Sequence, residues 1–342
     1  MSEAPIPLET RCEWRSGEVD DSYIVHLSEA HIAELDAALA YAEEHTTDVL
    51  DITRDLFPLP TLGPELTRVT HELIDGRGMV LIRRLPIERY SKDRASAIYW
   101  GIGTYLGQPW PQNAKGHLLG DVTDQGRAPN DPTARGNEVG TVALPFHSDG
   151  SDLVGLLCLD AGAEGGDSLV ANAVTMHNDL VRSDPELAEL LYQSFPYDLR
   201  GEQRPGARGW YEMPVYTRHR DRLFVRYIRP FIESSRRHAD APSVSVPSRA
   251  ALDRLDDLCA DPQYRVAMGL RPGDMQFINN YHVLHARASY RDDRPAGKIR
   301  HLKRLWLETD LLTDDAKPAR FRMGRTDGYW ASKGRTKSEL SW

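Results

Sequence analysis

The sequence predicts a mixed α+β protein, and three observations support that fold class. Apolar residues recur at helical spacing through most of the first third of the chain. Short apolar runs bounded by Gly, Pro, Asn and Asp, which are typical of strands, dominate the second half. Of the 342 residues, 40% are hydrophobic and 27% are charged, which is typical of globular proteins and excludes a disordered chain. Because the sequence has no internal repeat and no long linker, we expect a single domain over residues 1–342.

Net charge and cysteine content indicate the cellular setting. The 42 basic and 51 acidic side chains give a formal net charge of −9, which excludes a protein that coats nucleic acid through a broad basic surface. The three cysteines are widely spaced, so we expect no disulfide framework and a reducing, cytoplasmic location. The longest apolar run, residues 153–159, is too short to cross a membrane as a helix. A few basic residues between positions 320 and 337 predict a solvated tail or a subunit contact rather than nucleic-acid binding.

Residues 28–107 form the predicted helical region. Ser28 can cap a first helix, and Ser91 can cap a later one that ends at Gly107, because serine is a typical helix start and glycine a typical helix end. Residues 79–82 form a short apolar strand before the second of these helices. The first third of the chain is therefore expected to be mostly helical.

A long irregular segment, residues 109–145, follows the helical region. Gly, Pro, Asn and Asp are frequent in it, and it is longer than an ordinary connection. Such segments often close a binding site, so we expect the chemistry to lie nearby. The strand candidates beyond it are residues 153–159, 168–174, 213–217, 223–228, 275–278, 283–288 and 302–308, with helices at about residues 175–193 and after Ser248.

An imidazole and a carboxylate stand two residues apart at the end of this segment, in Pro145-Phe146-His147-Ser148-Asp149. In an extended chain residues i and i+2 share a face, so both side chains could bind one divalent metal. A third ligand further along the chain would complete a facial triad that leaves coordination positions open. Taken alone, the segment is more typical of a solvated polar turn.

The second informative segment, residues 271–308, carries further imidazoles and two arginines. His282 and His285 precede Arg300 and Arg304, and on a strand the two arginines would share one face with apolar neighbours. A buried guanidinium needs an anion. Either arginine could instead pair with an acidic side chain in a structural wall, and the residues alone leave both interpretations open.

Together the two segments resemble the iron(II)/2-oxoglutarate-dependent oxygenases of the taurine dioxygenase and clavaminate synthase-like superfamily, over about residues 101–308. The resemblance implies a distorted double-stranded β-helix, or jelly roll, flanked by helices. It implies a jelly-roll core at about residues 145–310, after the helical region of about residues 28–107 and before a C-terminal tail of about residues 311–342.

The resemblance also implies the chemistry. The cofactors would be Fe(II) and O2, with 2-oxoglutarate as co-substrate. The reaction would be hydroxylation of an unactivated carbon of a small molecule, such as an amino acid, a peptide-like natural product or another acid, with release of succinate and CO2. A nucleic acid or a membrane is not expected as a partner.

The family's metal ligands are a His-x-Asp/Glu pair and a distal histidine, which implies His147, Asp149 and His285 in this chain. His285 is preferred over His282 because Leu284-His285-Ala286-Arg287 fits the family's Leu-His-x-Arg pattern. His282 is expected beside the site or at the surface.

Arg300 matches the family's arginine that binds the far carboxylate of 2-oxoglutarate. Ser168, in Gly165-Gly166-Asp167-Ser168, matches the hydroxyl that shares that carboxylate. Arg300 follows His285 by 15 residues, slightly more than in taurine dioxygenase, which leaves Arg304 as the alternative. Arg304 is otherwise expected to bind an acidic group of the substrate or the metal-bound carboxylate of 2-oxoglutarate.

Loop residues are the candidates for substrate contact. Trp110 and Asn113 lie in the long irregular segment, and Trp210 lies in a second insertion, residues 201–213. Two other functions stay open at this point. A zinc hydrolase could use the same three ligands with a metal-bound water, and a non-catalytic metal-binding sensor could share the same barrel.

Overall fold

The computed structural model describes residues 5–321, except residues 129, 130, 132, 133, 135 and 137. The basic cluster and most of the expected C-terminal tail lie outside the described residues. The α-helices of the described chain are α1 Glu29–His45, α2 Leu62–Asp75, α3 Lys92–Leu106, α4 Ala173–Ser183, α5 Pro185–Leu190, α6 Arg229–Ser234 and α7 Val246–Ala260. None of these helices is long and apolar enough to span a membrane.

Short strands make up most of the remaining regular structure. They are β1 Ile24–His26, β2 Met79–Arg83, β3 Gln108–Pro109, β4 Leu119–Val122, β5 Leu144–His147, β6 Leu153–Asp160, β7 Glu164–Gly165, β8 Ser168–Asn172, β9 Ser194–Asp198, β10 Trp210–Pro214, β11 Tyr216–His219, β12 Arg222–Val225, β13 Arg265–Met268, β14 Met275–Asn279, β15 Val283–Arg287, β16 Tyr290–Arg291 and β17 His301–Glu308. The predicted α+β class is confirmed.

The N-terminal helices begin where the sequence predicts. The hydroxyl of Ser28 accepts a hydrogen bond from the backbone of His31 at 3.2 Å, and Ser91 accepts one from Arg94 at 3.1 Å. Each serine thus satisfies a backbone N–H that the first turn leaves without a helical partner. Helices α1, α2 and α3 all lie between residues 29 and 106.

Two sheets form the core. The larger has the order β1-β2-β14-β6-β17-β3, with β4 also paired to β17, and only β1 and β2 run parallel among its pairs. The smaller is antiparallel, with the order β13-β8-β15-β5. Side chains of both sheets line one cavity, so the sheets face each other, as in the expected jelly roll.

Strand β6 is apolar from Leu153 to Leu159, and it is covered on both sides. Helix α3 packs on one face, where a Cβ on Gly155 would lie 2.4 Å from the Tyr99 hydroxyl. The opposite face, with Val154 and Leu156, lines the space between the sheets. A continuous apolar run is the pattern expected of a strand buried on both faces.

Some predicted boundaries were wrong, for identifiable reasons. The predicted strand over residues 168–174 ends at Asn172, whose side chain accepts hydrogen bonds from two backbone N–H groups of α4. Helix α7 starts at Val246, before the predicted Ser248, because the hydroxyl of Ser245 caps it. The strand predicted at residues 213–217 is two strands, β10 and β11, each in its own hairpin.

The long segment before β5 is not wholly irregular. It contains β4, which pairs with β17 from Leu119 opposite Leu305 to Val122 opposite Leu302. The stabilisation of β4 comes from this distant partner, and its own four residues show no strand pattern.

Candidate metal centre and its two cavities

The two ligand histidines come together because of strand register. His147 ends β5, His285 is the middle residue of β15, and the two are direct cross-strand partners. Their ring centroids lie 4.2 Å apart, and both side chains are buried. Side chains opposite each other on one face of a sheet are neighbours, so the pairing brings two imidazoles to one point.

Asp149 supplies the third ligand atom. Its Oδ1 lies 3.9 Å from Nε2 of His147, and its Oδ2 lies 3.9 Å from Nε2 of His285. The three candidate ligand atoms lie within 4.8 Å of one another. Among the described residues this is the group of three ligating side chains that could hold a metal ion. The structure therefore brings the three predicted metal ligands together.

The protonation states fit a metal. Nδ1 of His147 lies 2.9 Å from the carbonyl oxygen of Pro145, which can only accept, so this nitrogen donates and Nε2 keeps its lone pair. Burial lowers the pKa of His147, and it lowers that of His285 to about 3. Burial raises the pKa of Asp149, but the positive charge of Arg304 and the hydrogen bond from Trp306 oppose this, and that pKa lies well below its usual range. Neutral imidazoles and an ionised carboxylate are the ligand forms that a divalent metal needs.

Groups from distant parts of the chain fix Asp149. Its Oδ2 accepts hydrogen bonds from Nε1 of Trp306 at 2.9 Å and from Nη1 of Arg304 at 3.2 Å. Its backbone N–H donates to Asn280 at 2.9 Å, and its carbonyl accepts from Arg226 at 2.6 Å. The hydrogen bonds to Oδ2 thus orient the side chain of Asp149, and Asn280 and Arg226 hold its backbone.

Sequence analysis missed three of these groups. Trp306 shares the alternating face of β17 with Arg304, and that alternation was the signal that could have identified it. Arg226 follows β12 and Asn280 follows β14, and no local pattern marks either residue as a neighbour of the metal ligands.

A small cavity lies on one side of the ligands, between the two sheets. Its lining includes the three ligands together with Ser168, Arg287 and Arg300. Arg300 is 4% exposed, donates to the carbonyl of Gly166 at 3.2 Å, and lies with its Cζ 5.3 Å from the ring centroid of Tyr290. Burial and the charge of Arg287 lower the pKa of Arg300. A buried guanidinium with no carboxylate partner in the described chain is suited to hold an anion.

The Gly-Gly element before Ser168 has a steric role. Gly166 has φ of +80°, and a Cβ there would lie 2.7 Å from Nε of Arg300. Glycine is required for both the backbone conformation and the close approach of the guanidinium. The hydroxyl of Ser168 donates to the side-chain oxygen of Gln276 at 2.8 Å and lines the same cavity.

A second, larger cavity of about 280 Å³ opens on the other side of His147 and Asp149. Trp110, Trp306, Arg226 and Arg304 contribute to its lining. Most of its remaining wall is apolar and comes from Val139, Val142, Ala143, Leu144, Leu199, Ile228, Pro230 and Phe231. The cavity can hold a small molecule against the metal centre, with cationic groups at the end beside the ligands.

Arg304 points into the barrel, as its strand position predicts. Its Nε donates to Gln112 at 2.8 Å, and its Nη1 donates to Asp149 at 3.2 Å. A substrate group or the metal-bound carboxylate of 2-oxoglutarate is the predicted anion for Arg304, because one far carboxylate cannot satisfy two guanidiniums without crowding. The structure gives Arg304 an internal carboxylate, Asp149, so its need for a second anion is weaker than that prediction implies.

Three other candidates lie away from the metal centre. Asn113 does not line either cavity, because its side-chain oxygen accepts from the backbone N–H groups of Lys115 and His117 in its own loop. Trp210 is also absent from both linings and contacts the guanidinium of Arg208, at 4.1 Å from the ring centroid. His282 is buried rather than at the surface, and it lines a separate cavity.

Two facing sheets with two imidazoles and one carboxylate at a buried junction define a mononuclear metal centre of the facial-triad class. The family model described as "Taurine catabolism dioxygenase TauD, TfdA family" matches residues 28–306, and the chain belongs to this family.

Curated relatives match over most of their length. FR-33289 synthase of Streptomyces rubellomurinus is 31% identical over 312 residues, covering 89% of this chain and 91% of the relative. Taurine hydroxylase-like protein SAT17 of Stachybotrys chartarum is 26% identical over 302 residues, covering 86% of this chain and 77% of the relative.

Solved structures share the fold. Asparagine oxygenase in complex with Fe(II), 2S,3S-3-hydroxyasparagine and succinate has a TM-score of 0.63 at 18% identity, covering 83% of this chain and 93% of that one. The non-heme iron oxygenase OrfP in complex with Fe and alpha-ketoglutaric acid has a TM-score of 0.61 at 18% identity, covering 84% and 94%. The predicted oxygenase family, the jelly-roll fold and the prediction of an iron- and 2-oxoglutarate-dependent dioxygenase are confirmed.

Proposed function

We propose that the chain hydroxylates an unactivated carbon of a small acidic molecule, with iron(II) held by His147, Asp149 and His285. Arg300 and Ser168 bind the far carboxylate of 2-oxoglutarate in the small cavity. The observation that carries the proposal is the position of the three ligands, all of which line a buried cationic cavity, while His147 and Asp149 also line a larger, mostly apolar one.

Bound iron, with 2-oxoglutarate and dioxygen, supplies the oxidising power that hydroxylates carbon while the co-substrate is converted to succinate and CO2. The residues of the chain prepare the site for that chemistry. Burial keeps the two imidazoles neutral, Trp306 fixes the orientation of Asp149, and the apolar wall excludes water. The wall also selects which carbon of the substrate lies next to the metal.

Two cationic side chains at the metal end of the large cavity support an acidic substrate, even though both also bind groups of the protein. Arg304 and Arg226 both line it there. Two of the structural neighbours have 3-hydroxyasparagine or a hydroxy-L-Arg bound, and amino acids carry a carboxylate. We therefore propose an amino acid or a peptide-like acid whose anionic group lies at Arg304. Its carbon chain would lie along the apolar wall formed by Val142, Leu144 and Phe231.

The test is succinate release from 2-oxoglutarate by the iron(II)-loaded chain, prepared without oxygen and mixed with aerated buffer and a panel of amino acids and small carboxylic acids. One compound should stimulate succinate release and gain a single oxygen atom by mass spectrometry. Hydrolysis of a substrate with zinc alone would contradict the proposal and favour the hydrolase. Binding of 2-oxoglutarate without succinate under any condition would favour the sensor.

Once a substrate is known, Arg304→Gln tests its placement. Removing a contact that is equally strong in the ground state and the transition state raises KM and spares kcat. We expect a higher KM for the substrate with nearly unchanged affinity for 2-oxoglutarate. A defect confined to 2-oxoglutarate would assign Arg304 to the co-substrate instead.

A further inference from the structure

Arg287 lines the small cavity, but it is neither a predicted metal ligand nor a predicted contact of 2-oxoglutarate. It lies two residues after His285 on β15, so both side chains point to the same face of the strand. Its direct cross-strand partner on β8 is Ser168, the residue proposed to bind the far carboxylate of 2-oxoglutarate. Directly opposed residues on one face lie within side-chain contact, which places the guanidinium beside that carboxylate site.

The charge of Arg287 is not neutralised by any described carboxylate. The residue is 7% exposed, and its Nε is buried with no hydrogen-bond partner in the described part of the chain. The nearby acids do not pair with it, since Asp124 pairs with Arg294 and Asp292 binds the backbone N–H of Arg300.

A second buried cation lies close by. Both guanidiniums contact the ring of Tyr290, whose centroid lies 4.7 Å from Cζ of Arg287 and 5.3 Å from Cζ of Arg300. Two buried like charges in one cavity repel each other, and an anion placed between them removes the repulsion.

Arg287 also holds a wall of the large cavity. Its Nη2 donates to the carbonyl of Val142 and to that of Gly140, the latter at 3.1 Å. The backbone N–H of Tyr290 donates to the carbonyl of Thr141 at 3.1 Å. We call residues 138–144 the cavity wall, because Val139, Val142, Ala143 and Leu144 all line the large cavity.

We propose that Arg287 is a second cationic contact for the far carboxylate of 2-oxoglutarate, and that through Gly140 and Val142 it couples co-substrate binding to the order of the cavity wall. The inference rests on the proposed co-substrate site and adds a residue and a coupling to it. A carboxylate beside Arg287 fixes the guanidinium, and the fixed guanidinium holds the two carbonyls of the wall. Binding of 2-oxoglutarate in the small cavity therefore orders one wall of the large cavity before substrate binds.

The experiment measures binding and backbone protection on the same samples. The full chain is loaded with iron(II) without oxygen, and 2-oxoglutarate is added as the probe. Its dissociation constant is measured by titration calorimetry, and amide hydrogen exchange is followed in peptides that cover residues 138–144. The variants are Arg287→Met and Arg287→Lys, with Arg291→Met as the matched control, because Arg291 is exposed and its ion pair in the described chain is with Glu164 on the paired strand β7.

In the unmodified chain, 2-oxoglutarate should slow exchange in the cavity wall. Arg287→Met should raise the dissociation constant at least about 30-fold, because one cation of a buried charge pair is lost. At saturating 2-oxoglutarate, backbone amides in the cavity wall of Arg287→Met should exchange as fast as they do without 2-oxoglutarate. Arg287→Lys keeps the charge but not the planar fork, so its affinity should fall less while protection of the wall is still lost. Arg291→Met should match the unmodified chain in both measurements.

A ligand comparison tests the same coupling without any substitution. The analogue 2-oxopentanoate has a methyl group in place of the far carboxylate, so at saturation it should bind the metal centre and leave the cavity wall unprotected. Equal protection by both compounds would overturn the coupling, as would full protection of the wall in Arg287→Met at saturating 2-oxoglutarate. Unchanged affinity in Arg287→Met would overturn the co-substrate contact. Failure of the unmodified metal-loaded chain to bind 2-oxoglutarate would instead contradict the proposed function.

Discussion

The small and large cavities share the metal ligands His147 and Asp149 but are built from different parts of the chain. Most of the small cavity consists of strand residues, whose faces follow from alternation along β8, β15 and β17. Much of the large cavity consists of loop residues between β4 and β5 and after β9. The side proposed to bind 2-oxoglutarate is thus mostly sheet, and the side proposed to bind substrate is largely loop.

The two cavities also differ in whether their arginines are already paired with groups of the protein. The small cavity contains two buried guanidiniums with no carboxylate ion pair in the described chain, and it is suited to one anionic ligand. In the large cavity, Arg304 and Arg226 already bind groups of the protein, including Asp149, and most of the wall is apolar. The co-substrate is therefore expected to depend strongly on charge, and the substrate more on shape.

The largest expected effect comes from the metal centre, where His285 belongs to the small cavity and His147 and Asp149 belong to both cavities. His285→Ala removes one of two imidazole ligands, so iron(II) binding and succinate formation should fall to background while the circular dichroism spectrum is unchanged. His282→Gln is the matched control, since this buried imidazole lies three residues away and lines a separate cavity. It should keep metal binding. Full activity of His285→Ala, or equal loss of activity in both variants, would contradict the assignment of His285 rather than His282 as a metal ligand.

The next effect tests the charge dependence of the small cavity. Arg300→Ala should weaken 2-oxoglutarate binding by about 3–5 kcal/mol, because a buried ion pair loses one partner and strands the other. Ser168→Ala should cost less, about 1.5–3 kcal/mol, as a neutral hydroxyl donating to a carboxylate. Calorimetry on the metal-loaded chain measures both. If Arg304→Ala produced the larger defect, the co-substrate would be held from the large cavity and the comparison would reverse.

Much of the small cavity could be predicted from sequence because its groups lie in short strand motifs. The spacing His147 to Asp149 and the alternation from Arg300 to Arg304 fix which side chains share a face, and the structure brings these residues together. The partners that orient Asp149 could not be predicted in this way. Arg226 and Asn280 reach it through loops that follow β12 and β14, and only the tertiary fold determines that proximity.

The large cavity was less predictable because polar loop residues often bind their own backbone. Asn113 was expected to contact substrate, but its side chain accepts hydrogen bonds from the backbone N–H groups of Lys115 and His117. Short polar side chains make such local turns in many loops, and the sequence does not distinguish them from ligand contacts. The contact between Asn113 and substrate stays a prediction.

A buried imidazole outside both cavities tests whether burial alone keeps histidine neutral. Burial lowers the pKa of His177 from 6.5 to about 4, and its ring is hydrogen-bonded to Asn178 and Tyr192. Between these two values the unfolded chain binds a proton that the folded chain does not, so stability falls as the pH falls. From pH 7 to pH 5 the loss should be about 2 kcal/mol.

Urea unfolding of the unmodified chain and of His177→Gln at both pH values isolates this contribution. The difference in unfolding free energy between pH 7 and pH 5 should be smaller in the variant by about 2 kcal/mol. The same pH dependence in both proteins would show that His177 protonates as readily in the folded state as in the unfolded one. Burial would then be insufficient to explain neutral imidazoles at the metal centre.

The smallest effect distinguishes two tryptophans that line the same large cavity. The indole of Trp306 donates to Oδ2 of Asp149 at 2.9 Å, whereas Trp110 contributes to the wall and has no hydrogen bond to a metal ligand in the described chain. Trp306→Phe keeps an aromatic ring but frees that oxygen, so the carboxylate can rotate. Partners that orient a metal ligand typically contribute tenfold or more to metal affinity, and we expect about a tenfold loss for iron(II) or cobalt(II).

Trp110→Phe should leave metal affinity unchanged and alter only the binding of substrate. Cobalt(II) provides a second measurement, because its visible absorption reports ligand geometry: the spectrum of Trp306→Phe should shift and that of Trp110→Phe should not. Equal metal affinity in the two variants would mean that Arg304 alone orients Asp149. The large cavity would then influence the metal centre through the charge of Arg304. Since the small cavity also depends on charge, the two cavities would differ only in shape.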